Sequence, residues 1–205
     1  MIFKTYEEDF EKTGHKLIAG IDEVGRGCLF GDVVSCAIIM PKQIYIDGVN
    51  DSKKLTLKKR EDLYIKILDS AYAVGIGRAS ADIIDKVNIK MATHISMINA
   101  IENLRNKNGE KVSPDLLLID AEKLDTDIEQ NSIIKGDENC YSIACASIIA
   151  KVYRDNLCKK WGELYPGYGI EKHKGYATKF HREALKEMGP SKMHRKTFLK
   201  NIKSW

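Results

Sequence analysis

Proline is scarce in this chain, four in 205 residues, and no low-complexity tract accompanies it, which argues against disorder. Long apolar runs are missing too. The longest, at 33–40 and 116–119, are far too short to span a bilayer. Residues 1–11 carry charges of both signs and lack the apolar stretch of a signal peptide. There are five cysteines, an odd number with no CxxC pair, which suits a reducing compartment better than a disulfide framework. These absences point to a cytoplasmic protein with no membrane contact. What is present, 43% hydrophobic and 30% charged residues, is the composition of a globular domain. The length suits one well-buried domain better than two.

Charge is unevenly spread. The formal net charge is only +4, yet residues 151–205 hold 14 Lys/Arg against 5 Asp/Glu, leaving 19 basic and 24 acidic residues before them. Three of the five histidines, His173, His181 and His194, also lie in that basic quarter. The asymmetry suggests a polyanion gripped by the carboxyl-terminal part; a solvated lysine-rich surface is the plainer alternative.

Residues 16–21 form a short apolar run ending at Asp22-Glu23, followed by Gly25-Arg26-Gly27, which reads as a buried strand meeting a tight loop. A Val- and Ile-rich strand at 33–40 stops at Pro41. Thr56 offers an N-cap to a helix carrying Leu57, Leu63 and Ile67. A third strand is expected at 71–79, loosened by Gly75 and Gly77. Ser80 opens a helical stretch, and 89–104 carries Met91, Ile95, Ile98 and Ile101 on one helical face, ended by Asn108-Gly109. Pro114-Asp115 introduces a strand at 116–119 that terminates in Asp120. A strand at 132–135 reaches Gly136-Asp137, and a helix spans about 139–161. Tyr165-Pro166-Gly167 breaks it, and a last helix at 178–188 stops at Gly189-Pro190. The expected class is α/β, a mixed sheet covered by helices. The body is placed at 1–165, with a basic helical extension at 166–205 packed on the same domain.

Carboxylates sit where apolar strands run out: Asp22 with Glu23, Asp120, and Asp137 after its glycine. Ligand sites in open α/β sheets gather outside the carboxyl ends of strands. A single acid there is ordinarily a turn former or helix cap. Several together repel and raise one another's pKa unless a cation neutralises them. An all-oxygen set selects hard ions such as Mg²⁺ or Mn²⁺ over zinc. With a basic arm for phosphates, the chemistry points to metal-assisted phosphodiester hydrolysis. Other site types are poorly supported. Gly75-Ile76-Gly77 lacks the third glycine of a dinucleotide fingerprint, and no phosphate loop or GxSxG elbow is present. Cys140, Cys145 and Cys158 with His173 and His181 have no zinc spacing, and the cysteines read as buried small hydrophobes.

Gly20-Ile21-Asp22-Glu23-Val24-Gly25-Arg26-Gly27 resembles the opening signature of type 2 ribonucleases H, specifically ribonuclease HII. The resemblance continues through Asp51-Ser52-Lys53-Lys54-Leu55, Leu118-Ile119-Asp120, Lys135-Gly136-Asp137 and the block from Ala146-Ser147 to Lys151, Arg154 and Asp155. It ends with His173-Lys174-Gly175-Tyr176-Ala177-Thr178 and the stretch from Gly189-Pro190 to His194-Arg195. Seven blocks in the family's order cover nearly the whole chain.

The resemblance implies a ribonuclease H-like fold in which Asp22, Glu23, Asp120 and Asp137 bind two Mg²⁺ or Mn²⁺ ions. Asp155, which also lies in a matching block, rivals Asp137 and is otherwise a supporting residue. It further implies hydrolysis of the RNA strand of RNA–DNA hybrids and incision 5′ to single ribonucleotides in duplex DNA, leaving 5′-phosphate and 3′-hydroxyl ends. The backbone of Gly25, Arg26 and Gly27 would read the ribose 2′-hydroxyl. Tyr176 would stack on the sugar at the RNA-to-DNA junction. Ser52 and Lys53, with Lys151 and Arg154 beside them, would contact phosphates.

Departures are few. Cys28 and Asp32 stand where the family usually has proline, and Ala121 where it generally has glycine. Val24 and Phe30 lean toward ribonuclease HIII, whereas Arg26, Asp137 and the lack of room for an extra amino-terminal domain speak for HII. The alternatives are an HIII-like nuclease that cuts hybrids only, and a non-catalytic hybrid-binding module. A monomer is expected. The tail at 196–203 with Trp205 reads as a packed terminus or a sliding-clamp motif.

Overall fold

The computed structural model describes residues 5–200; Trp205 and the end of the 196–203 tail lie outside the described residues. Helix α1 (Thr5–Lys12) leads into strands β1 (Ile18–Val24) and β2 (Val33–Ile39). Helix α2 (Leu57–Ser70), β3 (Ala73–Ala79), α3 (Ala81–Glu102) and a two-residue β4 (Arg105–Asn106) follow. Then come β5 (Leu116–Asp120), β6 (Glu129–Ile133), the short α4 (Gly136–Asn139) and the long α5 (Tyr141–Leu164). The chain closes with α6 (Ile170–His173), α7 (Lys179–Met188) and a 3-10 turn at Lys196–Leu199.

The strands form one mixed sheet in the order β4-β3-β2-β1-β5-β6. β1, β2 and β3 run antiparallel, while β5 and β6 lie parallel on the other side of β1. Helices cover both faces, which is why Leu116–Ile119 is apolar without alternation. Side chains pointing one way meet α2 and α5: Cys36 and Ile38 pack with Leu63, Ile67, Tyr141 and Ile148. Those pointing the other way meet α3: Ala19, Ile21, Ala37 and Ile119 pack with Met97 and Leu104. Each fully buried Leu or Ile contributes about 1.5–3 kcal/mol. Helix α5 comes so close to β1 that a Cβ on Gly20 would overlap the backbone of Ser142 and Ile143. That close approach delivers Ser147 to the end of β1.

Several local expectations need correction. The stretch from Ser80 and the one from Ile89 are two helical pieces joined across a kink at Asn88 (φ 72°, ψ 167°), as expected, but the buried stripe of the second is rotated. Ala92, Ser96, Met97 and Ala100 face the sheet, and Met91 is exposed. Gly75 and Gly77 do not loosen β3; a Cβ on either would collide with the α3 backbone. The helix ends at Glu102, and Asn108-Gly109 closes a turn beyond β4, which pairs with β3. β6 begins earlier than expected, at Glu129, and α1 and α6 carry no periodicity long enough to read. The N-caps Thr56, Ser80 and Thr178 each accept a backbone N–H three residues on.

Beyond α5 the chain folds back onto the body. Tyr168, Ile170, Leu185 and Leu199 pack with Leu29, Phe30 and Trp161. The five cysteines are buried and none of them forms a disulfide. Among the described residues no helix is long and apolar enough to cross a membrane.

Candidate active site

Strand alternation sorts the first three acids. Asp22 lies on the α5 face of β1, in phase with Gly20, and Asp120 lies on the same face of the neighbouring β5, in phase with Leu118. Glu23 falls on the α3 face. Asp137, in α4, completes the group because the turn after β6 brings Gly136 back to β5: its N–H donates to Asp120 Oδ1 at 2.7 Å. That turn requires Lys135 at φ 54°. Ala121, just after Asp120, is also left-handed at φ 50°, a conformation glycine adopts at less cost.

The acids feel one another. Burial pushes the Asp22 carboxyl well above its ordinary value, and the charges of Glu23 and Asp120 push it further, while the Ser147 hydroxyl bond opposes them. Glu23 is raised by burial and by Asp120, against the pull of Arg26. Asp120 is raised by burial and by Asp137, against the Gly136 N–H. Asp155 stands apart on α5, held by Lys151 Nζ at 2.7 Å and Arg60 at 3.7 Å.

Such a set of buried carboxylates, all oxygen and mutually repelling, fits hard divalent cations in its chemistry. Among the described residues no three His, Cys, Asp or Glu side chains close on one metal-holding point. The chain's own cations reach two of them: Lys53 Nζ is 3.0 Å from Asp137, and Arg26 Nη1 is 3.5 Å from Glu23.

The glycine-rich loop leaves β1 with Gly25 at φ 92°, over the side chain of Arg154. Arg154 was expected at a phosphate; it is instead fully buried and donates to the carbonyls of Asp32, Lys174 and Phe30 at 2.9–3.1 Å. Arg195, equally buried, donates to the carbonyls of Arg26 and Gly31. These two arginines fasten the loop to the C-terminal segment, and Leu29 N–H to Gly175 carbonyl adds a strap. Gly27 and the half-exposed Tyr176 ring therefore border one surface, the ring 4.0 Å from where a Gly27 Cβ would stand. Ser52 is nearly enclosed, bonded to Ser147 Oγ at 3.0 Å, so it meets the site through that serine. Lys53 is exposed and Lys151 is engaged by Asp155.

Sequence reasoning missed Ser147 as the partner of Asp22. It also missed Glu122, which accepts from Arg26 Nη1 at 2.6 Å and from His94 Nε2 at 2.9 Å. Burial alone would raise the Glu122 carboxyl, but the His94 and Arg26 bonds outweigh it and hold it below its ordinary value. No spacing signal announces these pairs, since Arg26 and Glu122 are 96 positions apart.

The histidines form a directed chain. Ser191 N–H donates to His194 Nδ1, which leaves His194 Nε2 to donate to His181 Nε2 at 3.1 Å. His181 Nδ1 then donates to the Tyr176 carbonyl at 2.9 Å. Burial lowers both His181 and His194 to about 4. They are neutral at pH 7 and add nothing to the basic face.

Known proteins resemble this chain throughout its length. The family model described as Ribonuclease HII matches residues 19–201. A Ribonuclease HII of Alkaliphilus oremlandii is 57% identical over 190 residues, covering 93% of this chain and 94% of that protein. The crystal structure of ribonuclease H2 from Pyrococcus horikoshii aligns with TM-score 0.73 at 24% identity, over 92% of this chain and 98% of that one. An Archaeoglobus fulgidus ribonuclease HII, solved in complex with PCNA, aligns at 0.72 and 25% identity, over 88% and 94%. A ribonuclease HIII solved with Mn²⁺ shares the fold at TM-score 0.63 and 15% identity, over 92% of this chain and 66% of that one. The chain belongs to the ribonuclease HII family, metal-dependent endoribonucleases that degrade the RNA of RNA–DNA hybrids.

Proposed function

We propose that Asp22, Glu23, Asp120 and Asp137 hold two divalent cations, Mg²⁺ or Mn²⁺, and that the enzyme also incises DNA 5′ to a single embedded ribonucleotide. The observation that carries this reading is the gathering of Asp22 and Asp120 on one face of the sheet with Asp137 brought beside Asp120, acids raised first by burial and further by neighbouring carboxylates. When bound, the cations would activate the attacking water and stabilise the leaving 3′-oxygen, giving 5′-phosphate and 3′-hydroxyl ends. The protein's part is preorganisation. Ser147 orients Asp22, the Gly136 N–H orients Asp120, and Lys53 screens Asp137 until a phosphate draws it away.

The backbone of Gly25, Arg26 and Gly27 approaches the ribose and reads its 2′-hydroxyl. Tyr176, beside Gly27, stacks on the sugar at the RNA-to-DNA junction, and Lys53 grips a backbone phosphate. Lys151, Arg154 and Asp155 support these groups from behind. The enzyme works as a monomer in the cytoplasm, its domains being a body at 1–165 and a packed extension at 166–205. A sliding clamp is a partner suggested by the Archaeoglobus complex alone.

The test is a labelled DNA duplex carrying one ribonucleotide, incubated with Mg²⁺ or Mn²⁺ beside a full RNA–DNA hybrid. Cutting of both supports the reading. Cutting of the hybrid alone favours HIII-like specificity, and binding without cutting leaves a silent module. Asp120→Asn is expected to lose at least a hundredfold in turnover while keeping most duplex affinity, roughly the size expected when a group that stabilises the transition state is removed. Near-normal turnover in that variant would refute the metal assignment.

A further inference from the structure

Arg26 meets two anionic neighbours through the same nitrogen, Nη1. Its Nη1 lies 2.6 Å from Glu122 Oε1 and 3.5 Å from Glu23 Oε1. The second Glu122 oxygen accepts from His94 Nε2 at 2.9 Å, so the carboxylate is pinned from both sides. Both carboxylates are largely withdrawn from water, the Glu122 and Glu23 side chains being 11% and 13% exposed, while the Arg26 side chain between them is 39% exposed.

We propose that Glu122 is a positioning residue that keeps the Arg26 guanidinium off Glu23, so that Glu23 stays open to a divalent cation. The inference rests on the metal-site reading above. Charge-assisted bonds strengthen as they shorten, and the shorter of the two contacts decides which acid holds the arginine. Remove the charge of Glu122, and Glu23 becomes the sole anionic partner of Arg26 within 4 Å among the described residues. The guanidinium then closes on Glu23, and an incoming cation must displace it from one of its own ligands. His94, on α3, contributes by stopping the Glu122 carboxylate from turning away. Changes to groups that orient metal ligands typically cost about 10–100-fold in metal affinity.

The experiment measures Mn²⁺ affinity of the full chain by titration calorimetry, in the wild type and in Glu122→Gln, Arg26→Gln, the double variant and Asp120→Asn. Glu122→Gln is expected to bind Mn²⁺ about tenfold more weakly. In the Arg26→Gln background the same substitution is expected to change affinity by less than about twofold. Equal losses in both backgrounds overturn the proposal, because Glu122 would then act as a ligand or through its charge alone. Wild-type affinity in Glu122→Gln overturns it as well. Should Glu122→Gln fail to fold, His94→Gln loosens the same carboxylate without removing its charge; a smaller loss in the same direction supports the proposal, and no loss refutes it. If Asp120→Asn binds Mn²⁺ as the wild type does, the carboxylates are not the metal site and both readings fall. If Asp120→Asn loses Mn²⁺ while Glu122→Gln keeps it, only the positioning role falls.

Discussion

Charging Asp22 in the folded protein carries a cost, and the cost has a sign that can be measured. Its folded-state pKa lies above the ordinary 3.8, so the folded protein binds the proton more tightly than the unfolded chain does. Stability of the metal-free protein therefore falls as pH rises above about 4 toward the folded pKa. Asp22→Asn removes that penalty. In chelator at pH 7 it is expected to melt about 2–4 °C higher than the wild type, the equivalent of about 1 kcal/mol for a chain of this size. Mg²⁺ should stabilise the wild type, by about 2.7 kcal/mol at a hundred times its Kd, and leave the variant unmoved. A variant that melts lower in chelator would contradict this account. Ala121 makes a second residue-scale case: at φ 50° an alanine is strained. Ala121→Gly is expected to stabilise by about 1 kcal/mol in denaturant titration, and a loss of stability would show that the strain is absent.

Helix α7 and the loop before it form an element whose order depends on neutral histidines. The hydrogen-bond chain from Ser191 through His194 and His181 to the Tyr176 carbonyl runs in one direction only. A proton added to either ring would set two N–H groups face to face. Both histidines titrate near 4 when folded and near 6.5 when unfolded, so the unfolded state binds more protons between those values. Stability is full above about 6.5 and drains away as pH falls through 4. The first protonation is worth on the order of 3 kcal/mol. The double variant His181→Gln/His194→Gln is expected to flatten the acid limb of the stability profile between pH 6.5 and 4; an unchanged limb would place the titration elsewhere. Elements of this kind were only half legible. Caps, turns and the apolar strands stand out because they are local. The buried stripe of α3 does not, because it depends on a kink at Asn88 and on how closely Gly75 and Gly77 let the helix approach.

Over the whole molecule, the basic carboxyl-terminal quarter proves to be two things. Part of it faces solvent; Arg154 and Arg195 are buried and bind backbone carbonyls, tying the glycine-rich loop to the final segment. Duplex binding should weaken steeply with salt through the exposed lysines. Lys53→Ala is expected to lower the salt slope by about one, as for the loss of a single phosphate contact. Arg154→Lys should leave the slope alone but cost about 3 kcal/mol in urea titration, since carbonyls of Asp32, Lys174 and Phe30 lose donors in the interior. A changed slope in Arg154→Lys would return it to the phosphate-binding set.

The sequence by itself determined the fold class, the strand ends that carry Asp22, Glu23 and Asp120, the family, and the polyanionic kind of substrate, because those features reside in short motifs and local periodicity. Only the tertiary structure decided which side chains meet. Strand alternation puts Asp22 and Asp120 on one face, a left-handed turn brings Asp137 to them, and Glu122 reaches Arg26 from a distant loop. Whether a basic residue faces solvent or the interior depends on packing between segments over a hundred residues apart, as for Arg154 beneath Phe30. Burial, more than residue type, sets the charge and the partner of such a group.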